Sequence, residues 1–135
     1  MSRRVLHILL AWVMAVVLLS AQSVCAAEPE GASLKLQTKE IDLGDIFVDD
    51  AKQMFRLTFS NVGDVPLVIT EVRTSCSCTT VQYDRRKVMP EEQGVLNITF
   101  DPHKASVGTL YRVLQIYSTS RGGVEYVTLK ANILE

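Results

Sequence analysis

Cysteine, histidine and proline are scarce in this chain, and long apolar runs are absent after its first two dozen residues. Among 135 residues there are 3 Cys, 2 His and 4 Pro; aromatics make up 7%, and the formal net charge is −1. Each shortage excludes something. A near-neutral balance without a large basic block lacks the electrostatic footprint of a nucleic-acid binder. His7 lies beside the N-terminal apolar run, so His103 is the only other candidate base for a cysteine nucleophile. There is no Gly-x-Ser-x-Gly elbow, no phosphate-binding glycine loop and no His-Glu-x-x-His zinc helix. With 47% apolar and 21% charged residues the composition is that of an ordinary globular domain, neither disordered nor collagen-like.

The one long apolar run opens the chain. Arg3 and Arg4 precede an unbroken stretch from Ile8 to Leu19, and Val24-Cys25-Ala26-Ala27 supplies small residues for cleavage. Residues 1–27 therefore read as a signal peptide, cut after Ala26 or Ala27, which predicts a periplasmic or secreted protein. The run is shorter than the ~20 apolar residues of a spanning helix, so no stable membrane span is expected after cleavage. Gln22-Ser23-Val24 ahead of Cys25 lacks the aliphatic and small residues of a lipoprotein signal. Cleavage takes 27 of the 135 residues and leaves 108. It removes two of the 14 basic residues and none of the 15 acidic ones, so the mature net charge is −3. A domain of that size buries about 65% of its unfolded surface, enough for a core without metal or disulfide staples. Residues 28–33, with Pro29 and Gly31, read as a short polar tether, and 34–135 as the folded domain.

Within that domain the apolar residues alternate. Phe55, Leu57 and Phe59 interleave with Arg56, Thr58 and Ser60; Leu96, Ile98 and Phe100 with Asn97 and Thr99; Val127, Leu129, Ala131 and Ile133 with Thr128, Lys130 and Asn132. Period two is the mark of half-buried strands, and no segment carries a helical apolar stripe. Turn-rich clusters at Asn61 to Asp64, Pro90 to Gly94, Asp101 to Gly108 and Ser118 to Gly123 separate the runs, and Ser120-Arg121-Gly122-Gly123 reads as a hairpin turn. Ser33 to Thr38, and Ile41 to Val48 broken at Gly44, add two candidates. The expectation is an all-β, immunoglobulin-like β-sandwich of seven to eight antiparallel strands, with a closed barrel as the lesser alternative. Gly63 is expected to supply a positive φ, Asn61 and Asp64 to bond the turn backbone, and Pro66 to begin the next strand. Asn97-Ile98-Thr99 matches a glycosylation acceptor but falls inside a predicted strand, so it reads as chance.

Four stretches are also familiar: Leu43-Gly44-Asp45-Ile46; Phe59 to Ile69 with its Asn-x-Gly-x-x-Pro-Leu core; Ser75-Cys76-Ser77-Cys78-Thr79; and Pro90 ahead of Val95 to Pro102. Together they resemble the bacterial exported family of unknown function DUF1573, over about Leu34 to Ile133. The resemblance implies an immunoglobulin-like envelope domain whose molecular role is not established. Two positions depart from it. The family usually has glycine where this chain has Ser77, and a Pro-Gly-Glu turn where it has Pro90-Glu91-Glu92. Ser77 puts in question any backbone geometry open only to glycine.

Chemistry, if present, sits at Cys76 and Cys78. In an extended strand their Cα atoms would lie about 6.6 Å apart, at the upper edge of disulfide reach, so a bond between them needs a local kink. Closing so short a loop contributes on the order of 1 to 2 kcal/mol, so stability alone does not explain the pair. Four readings stand: an internal disulfide, which leads; two free thiols in the core; soft-metal binding such as Cu(I); and intermolecular bridging. His103 reads as a solvated loop residue. Asp49, Asp50, Glu91 and Glu92 read as solvated faces, and Arg85-Arg86-Lys87 as a solvent-facing loop. Tyr111 and Tyr117 are placed opposite Leu114 and Ile116, toward a second layer or an exposed patch. Two functions follow as expectations. The first is a noncatalytic module that binds a cell-envelope protein and needs no cofactor. The alternative is a thiol-disulfide redox or copper-handling protein acting through Cys76 and Cys78.

Overall fold

The period-two alternation becomes eight strands in a computed structural model that describes residues 31–135. The apolar leader, Cys25 and the cleavage positions lie outside those residues. The strands are β1 (Leu34–Leu36), β2 (Glu40–Phe47), β3 (Gln53–Asn61), β4 (Ile69–Thr74), β5 (Thr79–Tyr83), β6 (Gln93–Phe100), β7 (Gly108–Ser118) and β8 (Val124–Leu134). They form two four-stranded sheets, ordered β1-β3-β6-β5 and β2-β8-β7-β4. This is the expected all-β sandwich. Among the described residues the sole helical element is a 3-10 turn at Pro102–Lys104, and no helix is long and apolar enough to cross a membrane.

The core is the set the alternation marks. Leu57 and Phe59 of β3, and Leu96, Ile98 and Phe100 of β6, face Leu114 and Ile116 of β7 and Val127, Leu129, Ala131 and Ile133 of β8 across the sandwich, all buried. Each large side chain withdrawn from water contributes about 1.5 to 3 kcal/mol, which is what holds the two sheets face to face. Tyr111 and Tyr117 lie on the outer face of β7; Tyr111 is exposed, and Tyr117 is half-buried beneath the Arg73 guanidinium, 4.9 Å from its ring centre. The β7–β8 hairpin closes at the predicted turn, with Gly123 at φ 70° donating its N–H to Ser120 O at 3.1 Å.

The expectation that all strands are antiparallel fails at one place. β2 pairs with β8 in parallel. The link from β1 to β2, Gln37 to Lys39, does not form a hairpin within one sheet: β1 lies at the edge of the first sheet beside β3, and β2 joins the other sheet, where it docks beside β8. Thr38 shapes the link by accepting Glu40 N–H at 3.3 Å on its hydroxyl and donating to Glu40 O at 2.8 Å. The break read at Gly44 is a register shift between Asp42 and Asp45, with Gly44 at φ 67° and its N–H held by Asp42 Oδ1 at 2.9 Å.

Three further readings need correction. Gly63 does not have a positive φ; its place is set by space, because an added Cβ would lie 2.1 Å from Gly31 O and 2.6 Å from Ser33 N. Pro66 does not open β4. It precedes Leu67, which makes an isolated bridge to Val88, and β4 starts at Ile69. Residues 31–33, read as part of the tether, are packed into the domain: Ala32 is 3% exposed, and Ser33 O accepts Val62 N–H at 2.9 Å.

Glu91, where the resemblance noted above implies glycine, is the only non-glycine residue with positive φ among those described, at 65°. Met89-Pro90-Glu91-Glu92 forms the turn, closed by Glu92 N–H on Met89 O at 3.0 Å. A side chain in the left-handed region costs roughly 1 to 2 kcal/mol, and glycine returns part of that as chain entropy. Glu91→Gly is therefore expected to stabilise the domain by about 0.5 to 1 kcal/mol in urea unfolding. A loss of stability would contradict the backbone assignment.

Candidate functional site

The cysteine pair lies where the chain passes from one sheet to the other. β4 follows β7 as far as Thr74 opposite Leu114, and Ser75 extends the pairing by donating its N–H to Val113 O at 3.3 Å and accepting Val113 N–H on its hydroxyl at 3.1 Å. The chain then turns, with Thr79 N–H on Cys76 O at 3.3 Å, and enters the other sheet as β5 against β6. There Cys78 O accepts Asp101 N–H at 2.8 Å. Cys76 and Cys78 thus occupy a crossover turn and not an extended strand. The turn brings their Cα atoms to 5.2 Å, and the sulfurs are joined in a disulfide. Ser77 sits between them without a positive φ, so this turn has no need of the family's glycine.

The two sulfurs have different surroundings. Cys78 is 1% exposed and belongs to the core cluster, whereas Cys76 is half-buried at its margin. Cys76 Sγ accepts the backbone N–H of Cys78 at 3.0 Å, and Cys78 Sγ lies 3.7 Å from the buried Thr79 hydroxyl. His103 is on the exposed 3-10 turn, with Nδ1 3.3 Å from Asp101 Oδ1. Burial works against the charged form of Asp101, but Lys52, with Nζ 3.6 Å away, and His103 outweigh it and keep the carboxyl below its ordinary range. Among the described residues no group of three or more His, Cys, Asp or Glu side chains is placed to hold a metal ion. Copper(I) at this turn would need the pair reduced.

Other polar residues prove more structural than their sequence setting suggests. Glu92, read as solvated, accepts Met89 N–H at 2.8 Å and Arg86 Nη1 at 2.6 Å, and these two bonds hold its carboxyl below the ordinary range. Arg86, read as part of a solvent-facing run, is thereby tied to the Pro90 turn. Arg112 was missed altogether. It sits at an inward register position between Leu110 and Leu114, and its buried Nε has no hydrogen-bond partner among the described residues.

A second feature is an incomplete sheet edge. Gln37 N–H bonds Thr58 O at 3.0 Å and Val62 N–H bonds Ser33 O at 2.9 Å, whereas Asn61 N–H bonds Glu92 O at 3.0 Å on the other side. Even-numbered residues of β3 therefore turn their backbone groups toward β1, and odd-numbered ones toward β6. The chain leaves this edge after Gln37. Among the described residues no strand lies beside the N–H and C=O groups of Met54 and Arg56 on this edge, and Met54 is 76% exposed. Next to that edge runs a groove of about 420 Å³, lined by Gln37, Thr38, Glu40, Ile41, Phe55, Arg56 and Leu57. Nothing in the local sequence marks this edge, because it arises from β1 ending early.

Residues 34–133 match the family described as a protein of unknown function, DUF1573. No curated protein sequence matches the chain. Similar solved structures include a protein of unknown function from Porphyromonas gingivalis W83, at TM-score 0.67 and 21% identity, covering 84% of this chain and 51% of that one. This chain therefore spans about half of that structure. The ASH/PapD-like domain 7 of human CEP192 aligns at TM-score 0.65 and 10% identity, covering 80% of this chain and 89% of the other. The periplasmic chaperone SfaE aligns at TM-score 0.57 and 8% identity, covering 76% and 59%. At these identities the likeness is one of fold, an immunoglobulin-like, PapD-like sandwich.

Proposed function

The chain belongs to DUF1573, and from that premise we propose that it is an exported, periplasmic interaction module without catalytic chemistry, which holds an extended segment of a cell-envelope protein along the open half of β3. The observation that carries this reading is the edge at Met54 and Arg56, unpaired among the described residues, beside a groove lined in part by Ile41, Phe55 and Leu57. An added strand would continue the line of β1, exchange backbone hydrogen bonds with both residues, and set one inward side chain against Ile41, Phe55 and Leu57. Main-chain bonds contribute about 0.5 to 1.5 kcal/mol each and carry little sequence information, so the groove supplies the selectivity. The signal-like leader supports export, and the same fold occurs in a periplasmic chaperone.

Arg56→Pro removes the N–H that faces the open edge and leaves the bonds to β6 in place. A photo-crosslinking residue at Met54 is expected to capture a discrete envelope protein in cells, and capture is expected to fall at least about tenfold when Arg56→Pro is added, with thermal stability unchanged. Equal capture with and without Arg56→Pro, or the same capture from Tyr126 on the outer face of the other sheet, would sink the proposal. Intact mass of the periplasmic fraction is expected to begin after Ala26 or Ala27.

A second reading, thiol-disulfide exchange or copper handling through Cys76 and Cys78, is supported by the unequal burial of the two cysteines.

A further inference from the structure

The Cys76–Cys78 bond is a poor staple in an already secured turn. Ser75 is bonded twice to Val113, Thr79 N–H to Cys76 O, Thr74 Oγ1 to Cys76 O at 3.2 Å, and Cys78 O to Asp101 N–H. None of these contacts involves a sulfur atom, so each is available to hold the turn whether the bond is closed or open. What distinguishes the two cysteines is burial: Cys76 is half-buried at the margin of the core and Cys78 lies inside it.

Resting on the thiol-exchange reading, we propose that Cys76 is the sulfur attacked from solvent and Cys78 the buried leaving and resolving sulfur, with an exposed dithiol as the substrate class. A substrate thiol, having lost its proton to water, attacks Cys76 Sγ. The new substrate–Cys76 bond forms as the Cys76–Cys78 bond breaks, and Cys78 departs as a thiolate beside the Thr79 hydroxyl and takes up a proton. The second substrate thiolate then attacks the substrate sulfur of the mixed disulfide. This closes the substrate disulfide and releases Cys76 as a thiolate that accepts the Cys78 N–H and is then protonated. Two electrons and two protons pass from the substrate dithiol to the Cys76–Cys78 pair. In the opposite direction the reduced pair opens a substrate disulfide by attack from Cys76, and Cys78, held within reach by the pinned turn, resolves the intermediate.

Single-cysteine variants of the mature chain separate the roles. Cys78→Ser leaves Cys76 and is expected to react with oxidised glutathione at least ~100-fold faster than Cys76→Ser, with the difference lost in denaturant. In wild-type protein reduced and then mixed with one equivalent of oxidised glutathione, acid-trapped adduct is expected on Cys76 alone, a result that needs no variant to fold. Both a free dithiol, dithiothreitol, and a two-cysteine peptide are expected to reduce the native disulfide. Equal reactivity of the two variants, or adduct on Cys78, would overturn the division of roles while leaving exchange itself intact. Failure of both dithiols to reduce the folded protein would overturn the exchange reading and the proposal with it, and reduction by dithiothreitol alone would overturn the peptide as a substrate.

Discussion

Asn61→Ala is expected to lower the unfolding free energy by about 3 to 4 kcal/mol, a large share of a typical domain's stability. Asn61 is 0% exposed and uses both ends of its amide. Oδ1 accepts Gly63 N–H at 3.0 Å and Ser33 N–H at 3.3 Å, while Nδ2 donates to Val65 O at 2.7 Å and Val88 O at 3.0 Å. One side chain therefore joins the N-terminal segment, the turn after β3 and the Leu67–Val88 bridge. Alanine leaves these groups short of partners, the Val88 carbonyl in a buried bond and the other three in part-buried ones, and each buried unpaired group costs about 1 to 3 kcal/mol. Val88 O still accepts Leu67 N–H at 2.8 Å, which holds the sum below four full penalties. Asn61→Asp is expected to be at least as damaging, because it presents a carboxylate to two carbonyl oxygens. Urea unfolding of both variants is the check, and a loss below about 1 kcal/mol for alanine would contradict this role. Gly63→Ala belongs to the same knot. Its Cβ meets backbone, which cannot swing aside, so the turn itself would have to move.

Gly94→Ala is expected to cost about 2 to 4 kcal/mol and to be partly rescued by a second change at Phe59. The two residues are directly opposed in the β3–β6 pair, and the Phe59 ring lies over the glycine. A Cβ on Gly94 would fall 2.2 Å from Phe59 Cζ and 2.7 Å from Cε1. The ring is buried and hemmed by core neighbours, so it has little room to withdraw. Phe59→Leu alone gives up ring contacts and is expected to cost about 1 to 2 kcal/mol. In the double variant the shorter side chain clears the new methyl group, and the double loss is expected to fall at least 1 kcal/mol below the sum of the single ones. Additive losses would mean that the contact between Gly94 and Phe59 is not what limits this position.

The alternation of Leu96-Ile98-Phe100 and Val127-Leu129-Ala131-Ile133 was legible because side-chain facing follows from backbone pleat, a local property. The hairpin at Gly123 was legible for the same reason. Gly63 shows the limit. Its presence in a turn could be read, but its cause, contact with Gly31 and Ser33 some thirty residues earlier, is a matter of tertiary approach. The cysteines show it again. Their spacing was visible, whereas the crossover that turns them and buries only one depends on which sheet receives each flanking strand.

The order of residues by itself determined the strand content, the inward and outward faces, the turn positions and the resemblance to DUF1573. Each rests on interactions within a few residues or on pattern alone. Only the assembled sandwich decided that β2 runs parallel to β8, that half of β3 has no neighbour among the described residues on its β1 side, and that Cys78 is buried while Cys76 is only half-buried. These depend on where strands distant in sequence come to lie, and hydrophobic patterning specifies which face is buried without specifying which neighbour buries it.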